Sequence, residues 1–199
     1  MVAEQPRLPP GSASPRARLR WLLIVVAVMA LLTAGWPLLN AAVADNQNLA
    51  AGSIRIGPGG RNSADIRIGA GWTLRPAQSD PRQDYVLHRG AVAVSIGYVS
   101  LADAEQTAGA WSGLRRVFRV TNPGVRLGRP SAVTNGQGLP GLSAIATGAR
   151  VSGTVTDFVG PSGAYAIRIV VLAPRDAKLL TAATSLLLIR ALRFPAASR

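Results

Sequence analysis

The sequence predicts an α+β domain in which an antiparallel sheet carries two packed helices, preceded by one N-terminal transmembrane helix. Two observations support this fold class. An uncharged apolar run lies close to the N-terminus. Beyond it, segments with strand alternation and segments with helical periodicity follow in the order strands, helix, strands, helix. The chain of 199 residues leaves room for one domain of ordinary size beside these N-terminal segments.

Residues 1–20 and 21–39 predict a cytoplasmic tail followed by a membrane span. The tail is basic and rich in Pro, Gly and Ser, so we expect it to be disordered. The run 21–39 carries no charge, and as a helix it would extend roughly 28 Å, close to the ~30 Å hydrocarbon core of a bilayer. Arginines before the run and indole rings near its ends predict a cytoplasmic N-terminus and an exported C-terminal domain. These residues of the predicted membrane interface are Arg16, Arg18, Arg20, Trp21 and Trp36.

A cleavable signal peptide is the alternative interpretation of the same segment. Ala42-Val43-Ala44 has the small-residue pattern of a cleavage site, and Pro37 would end a helix before it. The length of the apolar run favours an anchor over a signal h-region. The chain is therefore predicted either to stay in the membrane as a single-pass protein or to be secreted after cleavage at Ala44, and both routes export the rest.

Residues 40–63 are predicted to be a linker and residues 64–194 the exported domain. A near-repeat crosses this boundary, with Ile54-Arg55-Ile56-Gly57 followed by Ile66-Arg67-Ile68-Gly69. The alternation predicts either a pair of early strands or one strand and a decoy.

Strands Asp84–Arg89 and Ala91–Tyr98 are predicted to meet at a turn, and the second has a face of small residues that implies close packing by a helix. A helix should begin at Ser100, with Asp103 and Glu105 in its first turn, and stop at Asn122-Pro123-Gly124. Further strands are predicted at Leu127–Thr134, Gly141–Thr147, Val151–Phe158 and Ala164–Ala173.

The last helix is predicted to start at Pro174, in the first helical position. Its apolar stripe is broad, so we expect it to be well buried. The stripe consists of Leu179, Leu180, Ala183, Leu186, Leu187 and Ile189.

Five features of the exported domain together resemble a known family. They are a Gly-Trp before the first hairpin, a Tyr-x-Leu strand, a Trp-bearing helix, a three-strand meander and a terminal helix ending in Ala-Leu-Arg-Phe. Over residues 64–194 the chain resembles the PsbP-like αβα-sandwich family, membrane-tethered exported versions of which occur in actinomycetes. The resemblance implies an accessory or binding role rather than an enzymatic one. It transfers no functional residue, because no functional motif matches.

The amino-acid composition lacks the residues that most kinds of catalytic site need. The chain has no cysteine, one histidine and 9 acidic residues, so neither a metal nor another cofactor is expected. The net charge of +13 favours anionic partners, and nucleic acid is not expected because the domain is exported. The segment from Gly136 to Gly141 spells G-x-G-x-x-G, but Pro140 and a following strand do not fit a dinucleotide site.

The sequence therefore predicts an extracytoplasmic accessory or binding module that contacts an envelope protein or an anionic polymer. Arg115, Arg116 and Arg119, near the end of the first helix, form a possible partner surface. One alternative is an envelope hydrolase that uses His88 as base, with Ser112 or Ser162 near glycine but outside a nucleophile motif. Another is a carrier of a lipid or apolar ligand, with a cavity beside the small face of Ala91–Gly97.

Overall fold

The computed structural model describes residues 46–101 and 107–196. The predicted tail, membrane span and cleavage site lie outside these residues, and so do the five predicted membrane-interface residues and the acidic pair of the first helix. Within the part that is described, no helix has both the length and the apolarity needed to cross a bilayer.

The described residues form strands and two α-helices. Short 3-10 turns lie at Pro76–Gln78 and Arg175–Ala177. The helices are α1 (Thr107–Thr121) and α2 (Lys178–Ala191). The strands are β1 (Gln47–Leu49), β2 (Gly52–Gly59), β3 (Asn62–Ile68), β4 (Trp72–Leu74), β5 (Asp84–Arg89), β6 (Val92–Ser100), β7 (Arg126–Leu127), β8 (Ser131–Thr134), β9 (Pro140–Thr147), β10 (Val151–Val159), β11 (Tyr165–Pro174) and β12 (Leu192–Arg193).

The strands form two antiparallel sheets. The large sheet has the order β1-β4-β5-β6-β11-β10-β9-β7, with β8 also paired to β9, and the small sheet has the order β12-β3-β2. Strands β9, β10 and β11 form a meander, because the short turns between them require antiparallel neighbours. The predicted α+β class, with an antiparallel sheet and two helices, is confirmed.

The two helices cover opposite faces of the large sheet. Helix α1 packs through Trp111, Leu114 and Phe118 on Val155 of β10 and on the small residues of β9. Helix α2 and the small sheet lie over the other face, which carries Phe158 and the odd-numbered apolar residues of β11. Because neighbouring side chains on a strand alternate between faces, β10 and β11 contribute to both cores.

Strands β1 and β2 lie inside the segment predicted to be a linker. The first pairs with β4 and the second with β3, so the folded domain extends toward the N-terminus beyond residue 64. Of the two interpretations of the near-repeat, the pair of strands is the observed one. Ile56 is fully buried, and Gly57 has a φ of +105° at a position where an added Cβ would collide with the Tyr98 ring.

Two helix starts predicted from the sequence are wrong. Ser100 ends β6, because β6 stays paired with β11 as far as the Ser100–Tyr165 pair. Pro174 ends β11, opposite Val151, and helix α2 begins only at Lys178 after a 3-10 turn. In both places, backbone pairing with the neighbouring strand continues through the residue that was predicted to start the helix.

The prediction that the apolar stripe of the last helix is well buried is correct for Ile189 and wrong for its four leucines. Leu179 is 85% exposed and Leu187 is 62% exposed, while Thr181, Thr184 and Ser185 face the sheet. Short side chains on the inner face allow a helix to approach a sheet closely, and Leu188 and Ile189 supply the apolar contact.

The G-x-G-x-x-G segment anchors the C-terminal strand. The Asn135 side chain accepts hydrogen bonds from the amides of Gln137 and Leu139, both at 2.9 Å. The Gln137 amide group donates to the carbonyl of Phe194 at 3.0 Å and accepts from its N–H at 2.7 Å. The loop leads into β9 rather than into a helix, so it lacks the helix N-terminus that a dinucleotide site needs.

We expect Gln137→Ala to lower the free energy of unfolding by about 2 kcal/mol, since two hydrogen bonds contribute roughly 1 kcal/mol each. Hydrogen exchange of the Phe194 amide should accelerate at the same time. Gln78→Ala, at an exposed position in the first 3-10 turn, is the control and should leave both quantities unchanged. Unchanged exchange at Phe194 in Gln137→Ala would show that the loop does not hold the strand.

Candidate anion-binding cleft

A cleft of about 430 Å³ lies where the last turns of α1 meet β7. Three of its lining residues are arginines, and we call it the arginine cleft. Arg115 and Arg119 are four residues apart on α1 and therefore lie on one side of the helix. Arg126 comes from β7, which pairs with β9. The remaining lining residues are Phe118, Gly124, Val125 and Leu127.

The turn from α1 to β7 brings the third arginine to the helix. The Val125 amide donates to the Asn122 carbonyl at 3.1 Å, and Gly124 takes a φ of +86°, which favours glycine. This geometry reverses the chain within a few residues after Thr121. Phe118 is buried against the sheet beneath the cleft, so the arginines stand on a fixed apolar base.

The guanidinium groups of the cleft are available to an external anion. Among residues 46–101 and 107–196 the ion pair found is Arg55–Asp65 at 3.0 Å, in the small sheet, and no carboxylate pairs with the three arginines. Two carbonyls near the end of α1 already accept side-chain hydrogen bonds. Thr121 donates to the carbonyl of Val117, and Asn122 donates to that of Phe118. The arginines therefore need not cap these two carbonyls.

The structure brings together two of the three arginines predicted as a partner surface. Arg115 and Arg119 line the cleft, while Arg116 does not. Each residue turns the helix by about 100°, so Arg116 points further away from the sheet. Arg126 was missed because its place depends on the pairing of β7 with β9. A basic residue two positions after a helix-ending Asn-Pro-Gly turn is the sequence signal that could have found it.

A second polar feature is buried under the same face. Asp157 on β10 lies opposite Arg168 on β11, and the carboxyl is only 1% exposed. Burial raises the pKa of Asp157 to about 6, although Arg168 acts to lower it. Within the described structure, both oxygens of Asp157, Arg168 Nε and Trp111 Nε1 have no hydrogen-bond partner. Asp157 was predicted to lie in a strand, and its two-residue spacing from the buried Val155 is the overlooked signal that the charge lies inside.

His88 on β5 lies away from both serines named with it. Ser112 Oγ donates to the carbonyl of Gly109 at 2.8 Å, and Ser162 Oγ accepts from the Ala164 amide at 3.3 Å. The strand neighbours of His88 are Thr73 and Ala93. Burial lowers the pKa of His88, and Arg75 lowers it further. The described geometry supplies no nucleophile hydrogen-bonded to this histidine.

The small face of β6 does not line the arginine cleft. Ala93, Ser95 and Gly97 are half-buried on the side of the sheet that carries α1. A helix was expected to pack closely over them, but the described part of α1 packs on β9 and β10. Two further clefts, of about 290 and 280 Å³, flank α2 on the opposite side of the sheet, and neither includes a residue of this small face.

The order of elements, with helices on both faces of an antiparallel sheet, defines a PsbP-like fold. The chain is similar to the solution structure of cyanobacterial PsbP, CyanoP, from Synechocystis sp. PCC 6803, with a TM-score of 0.53 and 10% sequence identity. The match covers 74% of this chain and 94% of that chain. The resemblance predicted from the sequence is confirmed, and at this identity it concerns the fold alone.

A second structure, from Bacteroides thetaiotaomicron VPI-5482 at 1.50 Å resolution, aligns with a TM-score of 0.34 and 10% identity. That alignment covers 67% of this chain and 45% of the other. No protein-family model and no curated protein matches the chain.

Proposed function

We propose that the chain is a membrane-tethered, extracytoplasmic accessory module that binds an anionic partner of the cell envelope in the arginine cleft. The partner presents phosphate or carboxylate groups, on a polymer or on an acidic protein. The observation that carries this proposal is the convergence of Arg115, Arg119 and Arg126 on one cleft without a carboxylate partner among the described residues.

The physical chemistry of the cleft supports this function. Arginine forms paired, charge-assisted hydrogen bonds with phosphate and carboxylate oxygens. Two of the arginines belong to a helix fixed by its buried face, and the third belongs to a paired strand, so the backbone positions are set before binding and only the side chains must be ordered. The volume of about 430 Å³ is in the range of small-ligand sites and would admit one or two charged groups of a polymer.

Removal of an arginine from the cleft should weaken binding of a polyanion. We expect Arg119→Ala to raise the Kd for a short phosphodiester-linked polyol by roughly tenfold, because one charge-assisted contact contributes about 1.5 kcal/mol or more. Arg126→Ala should have a similar effect. Isothermal titration calorimetry at fixed ionic strength, with the polyol and with a polyglutamate peptide of equal charge, measures both and identifies the preferred group.

Arg116→Ala is the matched control for this experiment. It removes the same charge from the same helix but lies outside the cleft, so its Kd should change less than twofold. Equal weakening by all three substitutions would mean that binding follows net charge and that the cleft is not a site. No weakening by Arg119→Ala or Arg126→Ala would contradict the proposal directly.

The tether in this proposal is residues 21–39, with residues 1–20 in the cytoplasm. It is supported by the uncharged apolar run and by the arginines before it. C-terminal reporter fusions test the orientation, and the proposed topology requires reporter activity outside the cytoplasm. The N-terminal peptide of the mature chain, identified by mass spectrometry, distinguishes a retained anchor from secretion after cleavage at Ala44.

A further inference from the structure

The outer face of α2 is an exposed leucine stripe. Leu179, Leu180, Leu186 and Leu187 are each at least half exposed, and Ala183 lies between them. At 3.6 residues per turn these positions fall on one side of the helix, opposite the buried Thr181, Thr184 and Ser185. We call this surface the leucine face. Single exposed leucines are common on proteins, but a continuous stripe of four along one helix indicates an interaction surface.

Basic residues border the leucine face along both sides. The cleft on one side of α2 is lined by Arg67 and Arg89, with Arg89 stacked over the Trp72 ring at 4.9 Å. The cleft on the other side is lined by Arg175 and Lys178. Neither cleft includes a carboxylate among its described lining residues.

Basic residues also predominate at the two ends of α2. Arg190 is exposed near the C-terminal end of the leucine face, and Arg193 follows it. Near the N-terminal end a single acid, Asp176, sits between Arg175 and Lys178. An apolar helix face with cations along its borders is the pattern of an element that lies in the plane of a membrane interface, with leucines in the acyl region and cations at the headgroups.

We propose that the leucine face of α2 docks the domain on an anionic lipid surface. Charge complementarity selects this occupant over a second copy of the chain. In a two-fold dimer through the leucine face, the same basic borders would meet each other, and like charges at an interface oppose association. An anionic bilayer instead offers an apolar layer beneath negatively charged headgroups.

The proposed tether adds a geometric reason for docking on a lipid surface. This one step rests on the proposed function. Six residues, 40–45, separate the apolar segment 21–39 from the first described residue. Even fully extended they reach only about 20 Å, so a tethered domain stays close to the bilayer surface. Docking through the leucine face goes beyond that function, because it gives the domain a fixed orientation on the membrane.

The absence of cysteine from the chain permits a clean labelling test. Leu180→Cys and Leu187→Cys place an environment-sensitive fluorophore on the leucine face without disturbing the core. Val120→Cys, at a 76% exposed position on α1, is the matched control. The full-length chain is reconstituted into phosphatidylcholine vesicles with and without about 30 mol% phosphatidylglycerol, since docking requires negative headgroups.

In anionic vesicles the two α2 labels should emit at shorter wavelength and be quenched several-fold more than the Val120 label by a lipid-attached quencher. Salt at about 1 M should reduce the effect, because it screens the basic borders. Extraction of the same vesicles with alkaline carbonate reports separately on the tether. A chain that is extracted therefore refutes the tether, whereas the labels report on the leucine face.

Three results would overturn the inference. A shift that depends on protein density but not on lipid charge would assign the face to a second copy. An emission shift that depends on neither protein density nor lipid charge, with no quenching from lipid, would indicate that the leucine face binds the apolar segment 21–39 of the same chain. Labels that remain in water in anionic vesicles would show that the face is not a docking surface.

Discussion

Gly153→Ala should lower the free energy of unfolding by about 3 kcal/mol or more, as expected when added atoms collide with backbone in a packed core. Gly153 lies in β10, between Ala146 of β9 and Leu172 of β11. A methyl group at this position would collide with the carbonyl of Val171. The obstacle is the backbone of a paired central strand, so no side-chain rotation can relieve it.

Gly113→Ala is the matched control for this prediction. Gly113 is exposed in the middle of α1, and nothing lies within 4 Å of an added Cβ. Alanine in a helix interior is favoured over glycine, so this variant should gain about 0.5–1 kcal/mol. Urea unfolding followed by circular dichroism measures both. A Gly153→Ala variant as stable as the parent would mean that β10 and β11 are not paired as described here.

Local periodicity was sufficient to predict the central strands. Asp84–Arg89 was assigned with its observed bounds, and β9, β10 and β11 were each placed to within one residue at either end. Their alternation is strong because each strand packs on at least one apolar layer. Strand β1 has no such pattern. Its Gln47 and Asn48 are exposed, and it exists as a strand because β4 pairs with it.

The orientation of α2 could not be predicted from its sequence. Leu188 and Ile189 extend the apolar residues from the leucine face to the other side of the helix, so apolar character does not single out the buried side. The sheet accepts Thr181, Thr184 and Ser185, whose short side chains permit a close approach. The signal that was overlooked is the grouping of these small polar residues on one side, opposite the leucines.

Two of the three arginines of the arginine cleft could be predicted from the sequence, and the third could not. Arg115 and Arg119 share a helix face, and helical geometry alone separates them from Arg116. Arg126 joins them only because β7 pairs with β9, a contact between segments some twenty residues apart. Local sequence patterns do not determine such pairings, whereas they do determine which residues share one side of a helix.

The second large effect is expected at Asp157, and it depends on pH. Burial favours the neutral carboxyl, so the pKa rises from 3.8 to about 6 in the folded protein. The folded state therefore binds a proton more tightly than the unfolded chain does. The free energy of unfolding should accordingly fall as pH rises from about 4 through about 6, and above that range the loss is complete. At about 1.4 kcal/mol per pKa unit it amounts to about 3 kcal/mol.

Asp157→Asn should remove this penalty, because the amide resembles the neutral carboxyl in shape and does not ionise. Near pH 8 we expect the variant to be more stable than the parent by up to about 3 kcal/mol, and near pH 4 the two should be nearly equal. Urea unfolding of both chains between pH 4 and 8 gives the difference. Asp176→Asn, at an exposed carboxyl, is the control and should change stability by no more than about 1 kcal/mol. A difference between Asp157→Asn and the parent that does not vary with pH would show that Arg168 fully compensates the buried charge.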